Sequence, residues 1–162
     1  MKYRRLDLKE LQSLEKEFIR FLASNHITAE DWQKLKKENK KKVDGLLDIF
    51  SDIVWERTLP TVQYLEFIGP TDCKTFFCAA DHIQLMGMSV EQAAEIDLRT
   101  YQLVTDLPEI TTQYASHIKF YHSKRQYQKE RNQEIYTLIN NGCLISKQGH
   151  LYQLLTAIAQ QE

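Results

Sequence analysis

The sequence contains little glycine, proline or cysteine, with five, three and three of them among 162 residues. Because glycine and proline are so few, no stretch has the composition of a flexible linker or a low-complexity tail. A chain of this length can bury one hydrophobic core and is short for two. We therefore expect a single domain over residues 1–162. Its helical and strand-like patterns, described below, predict the α+β class.

Long apolar runs are absent too. No window approaches the ~18 consecutive apolar residues that a membrane-spanning helix requires. The basic N-terminus, MKYRRLDLKE, is not followed by the apolar segment of a secretory signal. We expect a cytoplasmic protein with no membrane partner.

Motifs for a cofactor or metal are also missing. The five glycines never cluster into a phosphate-binding loop. Cys73, Cys78 and Cys143 lack the two close pairs of a structural zinc site, and the histidines are scattered. We expect reduced thiols, no metal and no cofactor, with Cys78 and Cys143 buried as small hydrophobes.

Two groups of ionisable residues have spacings that a catalytic pair could use. Asp48 and Asp52 are one helical turn apart, but they lie away from the apolar stripe, which predicts solvated acids. Asp81 and His82 are adjacent, so on a strand they point to opposite faces unless a local turn joins them. Exposed hairpin-turn residues are the simpler interpretation. The sequence leaves enzymatic activity open, favours its absence and indicates no catalytic residues.

Apolar periodicity predicts helices over about residues 7–58. Asp7 and Thr28 have the sequence context of N-caps, and Asn25 is a candidate left-handed stop. Asn39 favours a break near residues 38–41, although one long helix stays an alternative. The positions expected to be buried are Phe18, Leu22, Leu47, Phe50 and Val54. An i, i+4 charge ladder is expected to be exposed: Glu30, Lys34, Glu38 and Lys42.

The pattern changes after Pro60 to short aromatic and branched runs, VQYLEFI, KTFFCA and HIQLMGM. They predict an antiparallel meander of about three strands over about residues 62–88, covered by the apolar stripe of residues 43–54. Gly87 indicates a bulge or a close backbone approach. The capping pattern SVEQ predicts a short helix over 91–96, and residues 97–110 are expected to form a loop with one extended piece.

Two C-terminal helices are predicted over about residues 123–160. SKRQ, which begins at Ser123, has the pattern of a capping box. The helix that it predicts ends at Asn140-Asn141-Gly142, a strong stop. The last helix carries an apolar stripe: Leu151, Leu154, Leu155 and Ile158.

Much of the chain resembles a known family. The segments that carry the resemblance are YRRLDLKELQSLEKEFIRFLASNHI, ITAEDWQKLKKEN, DIFSDIVWE and YLEFIGPTDCKTFFCAADHIQLMGM. They resemble a family of small bacterial cytoplasmic proteins known only as a domain of unknown function. The resemblance implies a compact cytoplasmic protein and supplies no catalytic or binding residues.

The stretch YHSKRQYQKER is the candidate polyanion-binding surface. It combines cations with aromatic rings that could stack on bases. The candidate residues are Lys124, Arg125, Lys129, Arg131, Tyr121 and Tyr127. Three other interpretations compete: the helix begins before Ser123, the cations pair with the acidic middle of the chain, or they are solvated. That middle part, residues 61–112, holds two basic and eight acidic residues.

The absence of catalytic motifs favours a non-catalytic protein-interaction or assembly module that binds a protein partner or a second copy of itself. The alternative is an RNA-associated accessory protein that uses the stretch from Lys119 to Arg131. Nucleic acid is the less favoured partner, because the acidic middle could neutralise the basic part within the fold.

Overall fold

The computed structural model describes residues 1–91 and 95–161. Over these residues the chain forms seven α-helices and one five-stranded antiparallel sheet, which confirms the α+β class. The chain divides into two compact units, Met1–Pro60 and Thr61–Glu162. No helix in the described part is both long and apolar enough to cross a membrane.

The first unit is helical. Its helices are α1 (Leu8–Ser13), α2 (Glu15–Ser24), α3 (Ala29–Glu38) and α4 (Lys40–Thr58). The two predicted N-caps are confirmed, because Asp7 and Thr28 each form a capping box with the residue three positions on. These caps satisfy backbone N–H groups that a helix start leaves without partners.

Two helix ends were predicted at asparagine residues, and one of the two predictions is confirmed. Asn39 ends α3 and caps α4 through a hydrogen bond from the Lys42 N–H at 3.1 Å, so the predicted break is confirmed. Asn25 ends α2 with a φ of −96°, and the left-handed residue is His26, with a φ of 57°. The prediction of a left-handed Asn25 was therefore wrong by one residue. The amide of Asn25 instead donates to the Phe21 carbonyl.

The N-terminal segment is held along α4 by specific hydrogen bonds. The Asp52 carboxylate accepts the backbone N–H groups of Lys2 and Tyr3 at 2.9–3.0 Å. Burial alone would raise the pKa of the Asp52 carboxyl, but these donors outweigh it and lower that pKa. Asp48 pairs with Arg5 at 2.7 Å. Asp48 and Asp52 were predicted as solvated acids; both stay partly exposed, but each also serves as an anchor for this segment, which was not predicted.

Burial in the first unit agrees with the apolar stripes in part. Leu22 and Phe50 are buried as predicted, while Phe18, Leu47 and Val54 are only partly buried. The charge ladder is exposed along its full length, as expected from its i, i+4 spacing.

The second unit contains the sheet, with strand order β4-β3-β2-β1-β5. Its strands are β1 (Tyr64–Ile68), β2 (Asp72–Cys78), β3 (His82–Val90), β4 (Ile118–Gln126) and β5 (Leu144–Ser146). The predicted three-strand meander is confirmed as β1 to β3. The prediction missed β4 and β5, which extend it at both edges.

Helices α5 (Leu103–Gln113) and α7 (His150–Gln160) cover one face of the sheet. The core between them consists of Cys73, Met86, Met88, Val90, Ile96, Leu98, Leu103, Leu107, Ile110, Leu151 and Leu155. This face therefore has a cover from its own unit. Residues 97–110 were expected to form a loop, but Leu103, Leu107 and Ile110 have helical spacing, and Pro108 is accommodated on the exposed side.

The predicted end of the first C-terminal helix is confirmed. Helix α6 (Arg131–Asn140) ends before Gly142, whose φ is +104°.

All three cysteines are buried free thiols. Burial raises the pKa of Cys73 to about 12 and that of Cys78 to about 11. The helix predicted over 91–96 falls mainly on residues 92–94, outside the described residues, and its capping residue Ser89 lies in β3.

Candidate functional site

The basic stretch chosen from the sequence does not form a helix from Ser123. Strand β4 contains that residue, lies at an edge of the sheet and pairs with β3 along its whole length. Branched and aromatic residues at the start of β4 favour a strand, and the ladder with β3 outweighs the local capping signal. The helix begins at Arg131 instead. The residues of the predicted site therefore lie on a strand, a turn and the start of a helix.

Lys124 and Arg125 are neighbours on this strand, so their side chains point to opposite faces of the sheet. Arg125 forms an ion pair with Glu134 of α6 at 2.7 Å. Glu134 also accepts backbone hydrogen bonds from Gln128 and Lys129. Burial alone would raise the pKa of the Glu134 carboxyl, but these donors outweigh it and lower that pKa. Arg125 is thus neutralised within the fold.

Arg131 and Tyr127 bind backbone carbonyls at the end of β2. The Arg131 guanidinium donates to the carbonyl oxygens of Cys78 and Ala79, each at 3.0 Å, and to that of Val62. The Tyr127 hydroxyl donates to the same Ala79 oxygen at 2.9 Å, and burial raises the pKa of Tyr127 to about 12. Both side chains satisfy polar groups of the backbone, which is a structural role.

Tyr121 covers Gly87 of the neighbouring strand. A Cβ atom at Gly87 would lie 2.3 Å from the Tyr121 ring, so the close approach predicted for this glycine is confirmed. The hydroxyl of Tyr121 donates to the Asp72 carboxylate. Burial, followed by this hydrogen bond, raises the pKa of the Tyr121 hydroxyl. The ring packs on the sheet and is fixed at its far end.

The two remaining candidate cations are exposed lysines. Lys124 and Lys129 form no ion pair among the described residues. Lys119, at the start of the stretch, pairs with Glu91 at 2.5 Å. The structure thus brings Arg125, Tyr127 and Arg131 into contacts with the fold and leaves Lys124 and Lys129 open to solvent. Lys124 and Arg125 do not share a face.

A turn does join Asp81 and His82, the adjacent pair that the sequence analysis treated as turn residues. Their Oδ1 and Nδ1 atoms are 2.7 Å apart between β2 and β3, and this hydrogen bond lowers the pKa of the exposed Asp81 carboxyl. Within residues 1–91 and 95–161, no group of three or more histidine, cysteine, aspartate or glutamate residues could hold a metal ion.

The first unit contains a groove of about 570 Å³ between α2 and α4. Six of its twelve lining side chains are apolar and three are charged, and these three are called the charged rim. The residues that line it are Leu14, Glu17, Arg20, Phe21, Ser24, Asn25, Ile49, Phe50, Ile53, Val54, Arg57 and Thr58. This groove was not predicted from the sequence.

The floor of the groove is held by an aromatic cluster. The Phe50 ring lies 5.4 Å from that of Phe21 and 5.0 Å from that of Phe18, which meets it edge-on. Trp32 of α3 adds a further edge contact to Phe18 at 5.2 Å. Such offset and edge contacts stabilise a cluster beyond its buried area. The groove therefore has an aromatic base in which Phe50 is buried and Phe18, Phe21 and Trp32 are partly buried.

The wall that α4 supplies is partly exposed. Ile49 keeps 55% of its surface accessible at the groove. In the sequence Ile49 lies between the apolar residues Leu46 and Leu47 and the buried Phe50. It therefore makes the apolar face of α4 wider than packing against a single neighbour requires. This extra apolar position was the sequence signal that could have indicated a second apolar surface.

The charged rim combines one acidic and two basic side chains. Glu17 and Arg20 lie on α2, and Arg57 lies near the end of α4. A ligand that matches this rim needs an apolar ridge with an excess of acidic groups beside it. The groove thus combines an apolar surface with charges of both signs.

Residues 1–160 match the model of a family described as "Family of unknown function (DUF6495)". The chain belongs to this family. The resemblance to a family known only as a domain of unknown function is thereby confirmed. No curated protein and no solved structure matches the chain. Membership in this family supplies no activity.

Proposed function

We propose that the protein is a cytoplasmic, bacterial, non-catalytic interaction module whose α2–α4 groove binds an amphipathic helix of a partner protein. The observation that carries this proposal is the apolar groove with Ile49 exposed on its wall. Helix-in-groove binding uses an apolar stripe at i, i+3 or i+4, and i+7. The bacterial and cytoplasmic parts of the proposal come from the family resemblance.

A partner helix fits this groove better than a second copy of the chain does. A two-fold dimer places the same surface of each copy against the other. With the groove on the axis, two concave surfaces would face each other and leave a void between them. A helix supplies the convex ridge that a concave site requires. Acidic residues beside that ridge would complement Arg20 and Arg57.

The test is capture from native lysate treated with nuclease, compared among the native protein and three variants. Ile49→Glu places a charge in the groove, where it is expected to abolish capture of the partner. Ile19→Glu is the matched control, since Ile19 is equally exposed at 57% but does not line the groove. Arg57→Glu is expected to weaken capture through the rim.

The proposal is supported if one protein is captured by the native and Ile19→Glu forms, and lost with Ile49→Glu. Equal capture by the native, Ile19→Glu and Ile49→Glu forms would place the interaction elsewhere on the surface. A change in oligomeric state with Ile49→Glu, measured by analytical ultracentrifugation, would instead indicate a second copy as the occupant.

The second proposal is an RNA-associated protein that uses residues 119–131. Exposure of Lys124 and Lys129 supports it, whereas the partners of Lys119, Arg125 and Arg131 weigh against it. If four cations neutralised single-stranded phosphates, log K against log salt would have a slope of about −2.8, from ~0.7 per contact. Micromolar binding with that slope, abolished by Lys124→Glu with Lys129→Glu, would favour RNA over the protein partner.

A further inference from the structure

A cavity of about 430 Å³ lies between α7 and the β3–β4 part of the sheet. It belongs to the second unit and is separate from the residues of the α2–α4 groove. Its size falls within the range of ~300–1,000 Å³ that small-molecule sites occupy. The lining combines an apolar floor with a few polar side chains, which is the composition of such sites.

Register places the polar groups of the cavity side by side. Lys124 is the partner of Gln84 across the β3–β4 ladder, and His122 is the partner of Met86. Residues two apart on a strand share a face, so His122 and Lys124 both point to the side on which α7 packs. Met86, Tyr152 and Ala159 provide the apolar surface beneath them.

The Gln84 amide is held in place at both ends. Its Oε1 accepts a hydrogen bond from the Tyr152 hydroxyl at 2.9 Å. Its Nε2, which can only donate, lies 3.1 Å from Nε2 of His82, so that imidazole nitrogen accepts. His82 then carries its proton on Nδ1, which donates to Asp81 at 2.7 Å. One N–H of the Gln84 amide stays available for a ligand.

Positive charge is not balanced within the cavity lining. Lys124 contributes an ammonium group, and the residues described as lining the cavity include no carboxylate. Asp81, whose carboxylate interacts electrostatically with Lys124, is already hydrogen-bonded to His82. Charge-assisted hydrogen bonds to a carboxylate or phosphate are the strong kind. An anionic group is the complement that this arrangement lacks.

We propose that the β3–β4/α7 cavity binds a small organic anion, with its carboxylate or phosphate group at Lys124, His122 and Gln84 and its apolar body against Met86, Tyr152 and Ala159. The fixed Gln84 amide sets the orientation of the anionic group, because its rotation is blocked by Tyr152 and His82. Binding of this kind would make the protein responsive to a metabolite class, in addition to the proposed partner.

The test is a titration of the isotope-labelled full chain, monitored by amide chemical shifts, with three probes. Benzoate and phenyl phosphate carry the two candidate anionic groups, and benzamide is the neutral counterpart of benzoate. Both anions are expected to shift the amides of residues 84–86, 122–124 and 156–160. Benzamide is expected to bind about tenfold more weakly, since it lacks the charge. The tighter anion identifies which group the site prefers.

Two lysine variants separate a built site from general surface charge. Lys124→Gln is expected to weaken anion binding about tenfold. Lys129→Gln, which removes an exposed cation outside the cavity lining, is expected to leave it unchanged. The proposal would be overturned by an absence of shifts at millimolar anion, or by equal weakening in both variants. Equal affinity for benzoate and benzamide would also contradict it.

Discussion

At the scale of single residues, ionisable and aromatic side chains act mainly in holding the fold. Asp52 binds the N-terminal backbone, Arg131 binds carbonyls, and Glu134 gathers two backbone N–H groups and Arg125. None of these partners is adjacent in sequence to the residue it binds, so the sequence alone could not pair them. Charge at such positions contributes to stability through hydrogen bonds that are fixed in the folded state.

Phe50 tests the assignment of the apolar floor. It is 3% exposed and contacts Phe18 and Phe21. We expect Phe50→Ala to reduce the free energy of unfolding by about 3–5 kcal/mol, through lost burial and the cavity left behind. Ile19→Ala, at an exposed position, is expected to change it by less than about 0.5 kcal/mol. A thermal midpoint for Phe50→Ala equal to that of the native chain would show the assignment to be wrong.

Glu134 gives the pH dependence of stability a definite sign. Its pKa is lowered from the ordinary 4.5, so its ionised form stabilises the folded state above that pH. This contribution is lost as the pH falls through the lowered folded-state pKa. We expect Glu134→Gln to lower the urea midpoint near neutral pH and to differ less from the native chain in acid. Glu130→Gln is the control, because the Glu130 side chain makes no capping hydrogen bond. A Glu134→Gln defect that persists undiminished in acid would contradict this account.

At the scale of elements, predictability depended on how local the signals were. The predicted N-caps at Asp7 and Thr28 and the stop at Gly142 depend on neighbouring residues, and all three are correct. β4 was missed because the local capping pattern at Ser123 competes with pairing to β3, which is distant in sequence. For the same reason the candidate cations were assigned to a helix. The α2–α4 groove was not predicted because it forms only where two helices meet.

The contact between β3 and β4 can be tested at Gly87. We expect Gly87→Ala to reduce the free energy of unfolding by about 1–3 kcal/mol, because its Cβ would lie 2.3 Å from the Tyr121 ring. Gly45→Ala is the control: Gly45 lies within α4, and its Cβ would meet no atom within 4 Å. Alanine there should stabilise the helix by up to about 1 kcal/mol. Equal effects at both positions in denaturant titrations would contradict the described strand contact.

At the scale of the whole molecule, the structure shows two compact units within the chain, whereas the sequence predicts one domain. If the two units belong to one domain, they unfold in a single cooperative transition. We therefore expect Phe50→Ala, in the first unit, to reduce hydrogen-exchange protection of the most protected β3 amides in the second by the same free energy as it reduces global stability. Unchanged protection in β3, or two calorimetric transitions, would show that the units unfold independently.

The most direct measurement of the central claim is site-specific photo-crosslinking in living cells. A benzophenone side chain replaces Ile49 in one variant and Ile19 in the other, two positions that are similarly exposed in the same unit. The account predicts a discrete protein adduct from position 49 and none from position 19. Its crosslinked peptide should be an amphipathic helix flanked by acidic residues. Adducts of equal yield at both positions, or none at position 49, would contradict the claim that the α2–α4 groove binds a partner.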